Sequence, residues 1–303
     1  MFRFSDVIAA KPAGAMYVGL ISLACAAGFT TAAHATTAIL VNDQFSGSAG
    51  TYLSGRAPDT TDLSGATWVQ YGTTSNNGGS AITPNTLTAI SLSGSGSATF
   101  PVYSGSGTYA DMGAAINFNA DTGSTAGDLT VQATLNAADN GAEWLAIGIG
   151  PSNPTNNYGP WAGGPWALVK HTGEVQFFAT GGTSAEVVDD TSAENSTGSH
   201  TIQISYDPAT QTATLYVDGA AVTGGSYTYG GTNAAAPTSL GSLFIDDRYK
   251  FSYSLPANAT DYGSFSNVVV TGTPAATPEP AAIGVLGGGL IGGLLILRRK
   301  RSY

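Results

Sequence analysis

The chain has 303 residues and a formal net charge of −10 at pH 7, and only 10% of its residues are charged while 42% are hydrophobic. About a quarter of a globular protein's residues ordinarily carry charge, so this surface must be built from Gly, Ser, Thr and Asn, which present hydroxyls and amides to water or to sugars. From Thr36 to Thr277 four cations, Arg56, Lys170, Arg248 and Lys250, stand against 18 acids (the chain's 20 less Asp6 and Glu279), a formal balance of −14; such a surface repels polyanions and excludes DNA and RNA as partners.

At the N-terminus Arg3 and Lys11 precede the apolar stretch Ala13 to Phe29, and Ala33-His34-Ala35 supplies the small-x-small pattern that signal peptidase accepts. Residues 1–35 are expected to be a signal peptide, handled by the Sec and signal peptidase machinery, so that the mature chain starts at Thr36. A lipoprotein signal would need leucine three residues before Cys25, and Ser22 stands there. Cys25 is the chain's single cysteine. Its removal leaves no disulfide to brace the fold and no thiol for chemistry.

Residues 36–273 are expected to form one all-β domain, because apolar residues recur at period two. Leu129, Val131, Ala133 and Leu135 alternate with Thr130, Gln132, Thr134 and Asn136, as a strand with one buried face requires. His200 to Tyr206 repeats the pattern, Asp207-Pro208-Ala209-Thr210 reads as a turn, Ala213, Leu215 and Val217 alternate again, and Asp218-Gly219 makes the next turn. The same reading places strands at Ile39 to Gln44, Leu87 to Leu92, Ala98 to Tyr103, Met112 to Phe118, Trp144 to Ile149, Trp166 to Lys170, Val175 to Ala179, Leu243 to Ile245 and Phe265 to Thr271. No amphipathic helix and no fixed-period repeat is visible. About a dozen strands without helical crossovers predict an antiparallel β-sandwich of jelly-roll kind.

Residues 274–280 read as a short extended stalk. Ala281 to Leu297 then run without a charge, long enough at 1.5 Å per residue for a helix of roughly 25 Å, at the short end of what spans a bilayer. Arg298, Arg299, Lys300 and Arg301 follow in the tail 298–303 and are expected to hold it in the cytoplasm, with everything before Pro278 outside. Gly284, Gly288 and Gly292 recur every four residues, a spacing that permits close helix contact, while Gly287-Gly288-Gly289 weakens the helix; both readings stand.

Pro278-Glu279-Pro280, the apolar span and the terminal arginine cluster together resemble the PEP-CTERM sorting signal of Gram-negative bacteria that make exopolysaccharide. The resemblance implies an exosortase as partner, a membrane-embedded cysteine transpeptidase-like enzyme that processes the protein near the triplet after transient residence in the inner membrane. A second set of motifs, Asn42-Asp43-Gln44-Phe45, Leu53-Ser54-Gly55-Arg56-Ala57-Pro58-Asp59-Thr60, Thr67-Trp68 and the hairpin His200 to Gly219 ending Tyr216-Val217-Asp218-Gly219, is similar to bacterial and phage concanavalin A-like (laminin-G-like) domains. That resemblance implies the sandwich fold reached from periodicity, in a superfamily where some members bind glycans, some hydrolyse them and many do neither.

Hydrolysis by retention needs two carboxyls about 5 Å apart, which a strand supplies from residues two apart on one face. Glucanases of the concanavalin A-like superfamily carry Glu-x-Asp-x-(x)-Glu, and no such run occurs; Glu143 and Glu174 lack acids at the required spacing. Asp189-Asp190 and Asp246-Asp247 are adjacent pairs, expected as solvated turn or edge residues whose side chains point apart. With the Asp-rich segment Glu186 to Glu194, read as a loop, they are the candidate calcium ligands, since calcium takes oxygens. Zinc would need clustered His or Cys. His171 and His200, the two histidines of the mature chain, read as ordinary surface residues at strand ends. In the loop Pro151 to Pro165, Tyr158 and Trp161, with Trp166 just after, can stack on sugar rings while Asn153, Asn156 and Asn157 bond hydroxyls; the alternative, which the free energy of burying tryptophan favours, is that Trp161 and Trp166 plug one end of the core.

These residues together predict an exported cell-surface or matrix protein with a non-catalytic sandwich, structural or adhesive, contacting extracellular polysaccharide. The competing classes are a glycan-degrading enzyme of the same fold and an inert spacer.

Overall fold

The structure is a computed structural model that describes residues 36–75, 80–81, 90–101, 109–123, 126–137, 144–151, 163–181, 186–190, 198–237, 240–250 and 261–275. Seventeen strands occupy them. They are β1 (Ala38–Asp43), β2 (Thr60–Thr61), β3 (Val69–Ser75), β4 (Ser80–Ala81), β5 (Ser91–Leu92), β6 (Ser97–Pro101), β7 (Tyr109–Asn117), β8 (Leu129–Ala137) and β9 (Trp144–Gly150). There follow β10 (Trp166–Lys170), β11 (Val175–Phe178), β12 (Glu186–Asp190), β13 (His200–Asp207), β14 (Thr212–Val217), β15 (Ala220–Thr228), β16 (Ser242–Lys250) and β17 (Asp261–Gly272). The signal peptide, the stalk beyond Ala275, the span 281–297 and the basic tail lie outside the described residues, and among the described residues no helix is long and apolar enough to cross a membrane.

The strands form two antiparallel sheets. One runs β15-β14-β13-β8-β17-β1-β2, with β6 also paired to β17 and β5 to β6; the other runs β12-β11-β10-β9-β16-β7-β3-β4. Period-two alternation survives into the structure where one face is buried and the other faces out: β8 and β13 bury every second residue. Leu40, Val131, Leu135, Ile204, Leu215 and Phe265 from the first sheet meet Ile116, Ile147, Val169, Phe177 and Ile245 from the second in one core. Each such side chain contributes about 1.5–3 kcal/mol on burial, and with no disulfide available that core holds the sandwich.

The turns form for local reasons. Asp207 accepts from the Ala209 N–H at 2.8 Å and the Thr210 hydroxyl at 2.6 Å. Asp218 and Gly219 both take positive φ, 50° and 82°, between paired Val217 and Ala220, the two-residue hairpin turn whose twist suits flanking strands. At Asn267, φ 51°, the register of β17 against β8 shifts between Ser266 and Val269, a bulge in one long strand.

Three expectations need correction. Glu186 to Asp190 are not loop but the edge strand β12, paired to β11. Val69–Ser75 and Ala220–Thr228 are strands that periodicity did not mark: the second is an edge strand with two glycines and little burial, so nothing selects apolar residues along it. Finally, β16 continues through Asp246 and Asp247 to Lys250, past the point where its apolar run stops.

Candidate functional site

The motif Asp43, Arg56, Asp59 and Trp68 comes together first. Asp43, with no solvent exposure, accepts the Arg56 guanidinium at 2.5 Å and the Trp68 indole N–H at 2.7 Å on Oδ2, and the Phe45 N–H at 2.8 Å on Oδ1. Asp59 accepts Arg56 Nη2 at 2.8 Å, the Ser46 hydroxyl at 2.5 Å and the Gln44 N–H at 2.9 Å. Burial pushes the Asp43 carboxyl up from its ordinary value, against the pull of Arg56, Trp68 and Phe45. Partial burial acts in the same sense on Asp59, but Ser46, Gln44 and Arg56 outweigh it and hold that carboxyl low. Above this lock Phe45, Trp68, Phe100 and Phe265 pack with centroids 5.1–6.1 Å apart. Every polar group of the lock is turned toward its neighbours, which makes it a brace for the loop after β1.

The chemistry-bearing surface is the outer face of the eight-stranded sheet. Alternate residues of β7, β9, β10, β11 and β16 enter the inter-sheet core, and the intervening Ala115, Ala146, Trp166, Leu168, Phe178 and Phe244 form a second apolar cluster on the other side. Register aligns Tyr71, Gly113, Asp246, Ala146, Leu168 and Gln176 in one row across six strands. One row away lie Phe244, Gly148, Trp166 and Phe178; on the other side lie Arg248, Trp144 and Lys170. A Cβ on Gly148 would stand 2.2 Å from the Phe244 ring and one on Gly113 would stand 2.4 Å from the Tyr71 ring, so both glycines are required for the aromatic rings to lie flat on the sheet. One half of the face is thus aromatic and buried. The other half is polar: half-buried Trp144 sits between Arg248 and Lys170, and Glu174 accepts from both Lys170 and Gln176.

Asp246 and Asp247 occupy the middle of β16, between β9 and β7, and are 1% and 2% exposed, so the expectation of solvated turn or edge residues is corrected. Their side chains do point to opposite faces, Asp246 outward beside Phe244 and Arg248, Asp247 toward the interior. Asp189 lies on β12, exposed, and Asp190 ends that strand. Four strand spacings, about 19 Å, separate β12 from β16, so the two acidic pairs make no common site. Among the described residues no three His, Cys, Asp or Glu side chains gather as a metal site would require.

Trp166 resolves toward the core: it is 1% exposed, stacks on Phe178 at 4.1 Å with 12° between the planes, and donates its indole N–H to Thr180 O at 3.0 Å. Tyr158, Trp161, Asn153, Asn156 and Asn157 lie outside the described residues. His200 is a second correction. It is buried, 4% exposed, with Nδ1 2.9 Å from Asp218 Oδ2; partial burial raises the Asp218 carboxyl, but His200 and the Thr201 N–H together hold it below the ordinary value. Sequence reading missed Trp144, Tyr71 and Arg248 as neighbours of Asp246; Trp144 and Tyr71 sit on β9 and β3, and only pairing register brings them to Asp246 and Arg248 on β16.

An endo-1,3-β-glucanase from Streptomyces sioyaensis superposes with a TM-score of 0.55 at 18% identity, covering 79% of this chain and 97% of that one. The fold is concanavalin A-like. Other solved structures that match are a Bacillus licheniformis β-glucanase (15% identity, 74% and 98% covered, TM-score 0.41) and the carbohydrate recognition domain of Emp46p (10% identity, 69% and 89% covered, TM-score 0.40). No protein-family model matches the sequence, and no curated protein matches it. The concanavalin A-like likeness is one of fold, and the motif Asp43, Arg56, Asp59 and Trp68 belongs to the brace that builds it.

Proposed function

We propose that this is an exported, exosortase-processed protein of the cell surface or extracellular matrix, whose concanavalin A-like sandwich holds polysaccharide without cleaving it. The observation that carries the non-catalytic reading is the order of outward residues on β16: Phe244, Asp246, Arg248. Along β16 itself, the positions two residues from Asp246 that could carry a retaining hydrolase's second carboxyl hold a phenyl ring on one side and a guanidinium on the other, while on the neighbouring strand β7 the register sets Asp111 opposite Arg248, one row from Asp246. Glu174, beside β11, is three strand spacings away, about 14 Å, beyond even the 6.5–9.5 Å or so that inversion uses. What the polar half of the face does provide is an indole platform, Trp144, flanked by donors and acceptors from Arg248, Lys170, Glu174 and Gln176, the combination that recognises a sugar ring.

Export and anchoring are supported by the two ends of the chain, Ala33 and Ala35 before Thr36, and Pro278-Glu279-Pro280 before the apolar span and Arg298 to Arg301. A polysaccharide pull-down with the purified protein, with and without calcium, tests the binding reading. Retention that Trp144→Ala reduces at least tenfold supports it; equal retention of native and variant protein contradicts the assignment of this face. A calcium requirement would point to the exposed edge strand β12, where Asp189 lies, since Asp246 and Asp247 are buried and face opposite sides of their sheet.

A further inference from the structure

We infer that the opposite outer face, that of the nine-stranded sheet, is a second binding surface, one for an extended, uncharged polysaccharide lying across the strands. Register aligns Ser226, Thr214, Ser205, Thr130 and Thr271 in a row over five consecutive strands, β15, β14, β13, β8 and β17. The next row holds Gln203 and Gln132 side by side, flanked by half-buried Tyr216 and Val269, and the row after it Thr201, Thr134 and Ser266. None of these residues is buried. Strand pairing spaces the groups by about 4.8 Å within a row and about 6.8 Å between rows, so the face is a grid of hydroxyls and amides some 19 Å wide.

Three properties separate it from an ordinary solvated sheet. Its charge is close to nil: on β8, β13 and β14 the one charged outward side chain is Asp207, at the far end of β13, although a soluble surface is about 25–35% charged residues. Its side chains are short and already oriented. Thr134 and Thr201 lie 3.2 Å apart, Thr214 and Ser226 3.0 Å, Thr212 and Thr228 3.0 Å, and Asn267 donates to Thr134 at 3.2 Å. β-branched threonines are stiff at χ1, so a ligand finds these groups in place and little side-chain entropy is lost on contact. Finally, the face is too polar for a permanent interface with a second copy of the chain, whose core would be apolar.

Charge selects the occupant. An acidic polymer meets no cation on these strands and carboxylates at both margins, Asp128 and Asp207 at one end and Asp218 at the other, which leaves the middle of the grid to an uncharged ligand. A neutral polysaccharide, whose sugar repeat is close in length to the strand spacing, can place one ring over each successive strand and exchange hydroxyl–hydroxyl bonds along the row. The surface shares the ligand class of the proposed function but none of its residues.

Co-sedimentation of the purified full chain with microcrystalline cellulose, and with calcium alginate beads as the acidic control, tests the inference. The double variant Thr130→Glu/Ser205→Lys introduces a cross-strand ion pair of compatible sign and raises two long side chains out of the grid; its melting temperature serves as the check of folding. Retention of the native protein on cellulose is expected, unchanged by salt because no ion pair is involved, and at least tenfold weaker in the double variant. Native protein that ignores cellulose, prefers alginate, or elutes as a dimer that the double variant breaks would overturn the inference. Cellulose retention lost in Trp144→Ala but not in the double variant would also overturn it, while leaving the proposed function intact.

Discussion

Asp43 is shut off from solvent and accepts three hydrogen bonds, one from a guanidinium, so its side chain cannot be removed without leaving Arg56 and Trp68 with unmatched donors. Asp43→Ala is expected to cost about 3–5 kcal/mol, the usual penalty for breaking a buried charged pair by removing one partner, readable by denaturant titration; Asp43→Asn, which keeps the shape and two acceptor directions, should cost distinctly less. Asp59 carries a pH signature of its own. Its folded-state carboxyl lies below the ordinary 3.8 despite partial burial, because Ser46, Gln44 and Arg56 stabilise the ionised form. That contribution is fully present above the unfolded value and disappears as pH falls through the folded one. The difference in melting temperature between native protein and Asp59→Asn is therefore expected at pH 7 and should shrink to nothing on acidification below about pH 3.8. These residues were visible in the sequence only as a pattern similar to other domains. The structure supplies their physical reason, which is bracing; it buries Trp166, as its apolar bulk suggested, and moves His200 from the surface to the interior.

Strands with one wet face announced themselves, because alternation is forced wherever a sheet separates core from solvent: β8, β13 and β14 were legible to within a residue or two. Strands buried on both sides were legible as short apolar runs, β9, β10 and β11 falling within a residue of their expected bounds, but acids inside a buried strand, or a strand wet on both sides, gave no such signal. β16 reads as three apolar residues followed by two acids, yet it is the middle strand between β9 and β7, and its polar half is where the candidate site sits. The edge strand β12, rich in acids, looked like a loop for the opposite reason. The pairing of β9 with β16 depends on Gly148, since any Cβ there meets Phe244 and Trp166. Gly148→Ala is expected to destabilise the protein by about 1–3 kcal/mol through overpacking. Near-ultraviolet circular dichroism should register the disturbed Trp166–Phe178 stack. At the other hairpin, Gly219→Ala forces a Cβ into φ 82° and should cost about 1–2 kcal/mol, whereas no such loss is expected at an outward Thr of β14.

At the scale of the molecule the two sheets present different chemistry to the outside. On one outer face the half-buried indole of Trp144 stands among Arg248, Lys170, Glu174 and Gln176, beside a buried aromatic cluster, and the other is a hydroxyl grid with little charge; neither is legible from any single strand, because each is assembled across sheet neighbours distant in sequence. The ends of the chain, by contrast, carry their message locally. Replacing Pro278, Glu279 and Pro280 by alanine is expected to trap the protein in the inner-membrane fraction, while the native chain is recovered from the surface or matrix; identical fractionation of the two would contradict exosortase processing. The central claim, that the concanavalin A-like sandwich holds glycan and leaves it intact, is tested most directly by following reducing ends while purified protein is incubated with β-1,3-glucan and mixed-linkage β-glucan under conditions where binding is seen. The account predicts retention with no release of new reducing ends. Sugar release by the native protein that Asp246→Asn abolishes, with the fold preserved, would contradict it.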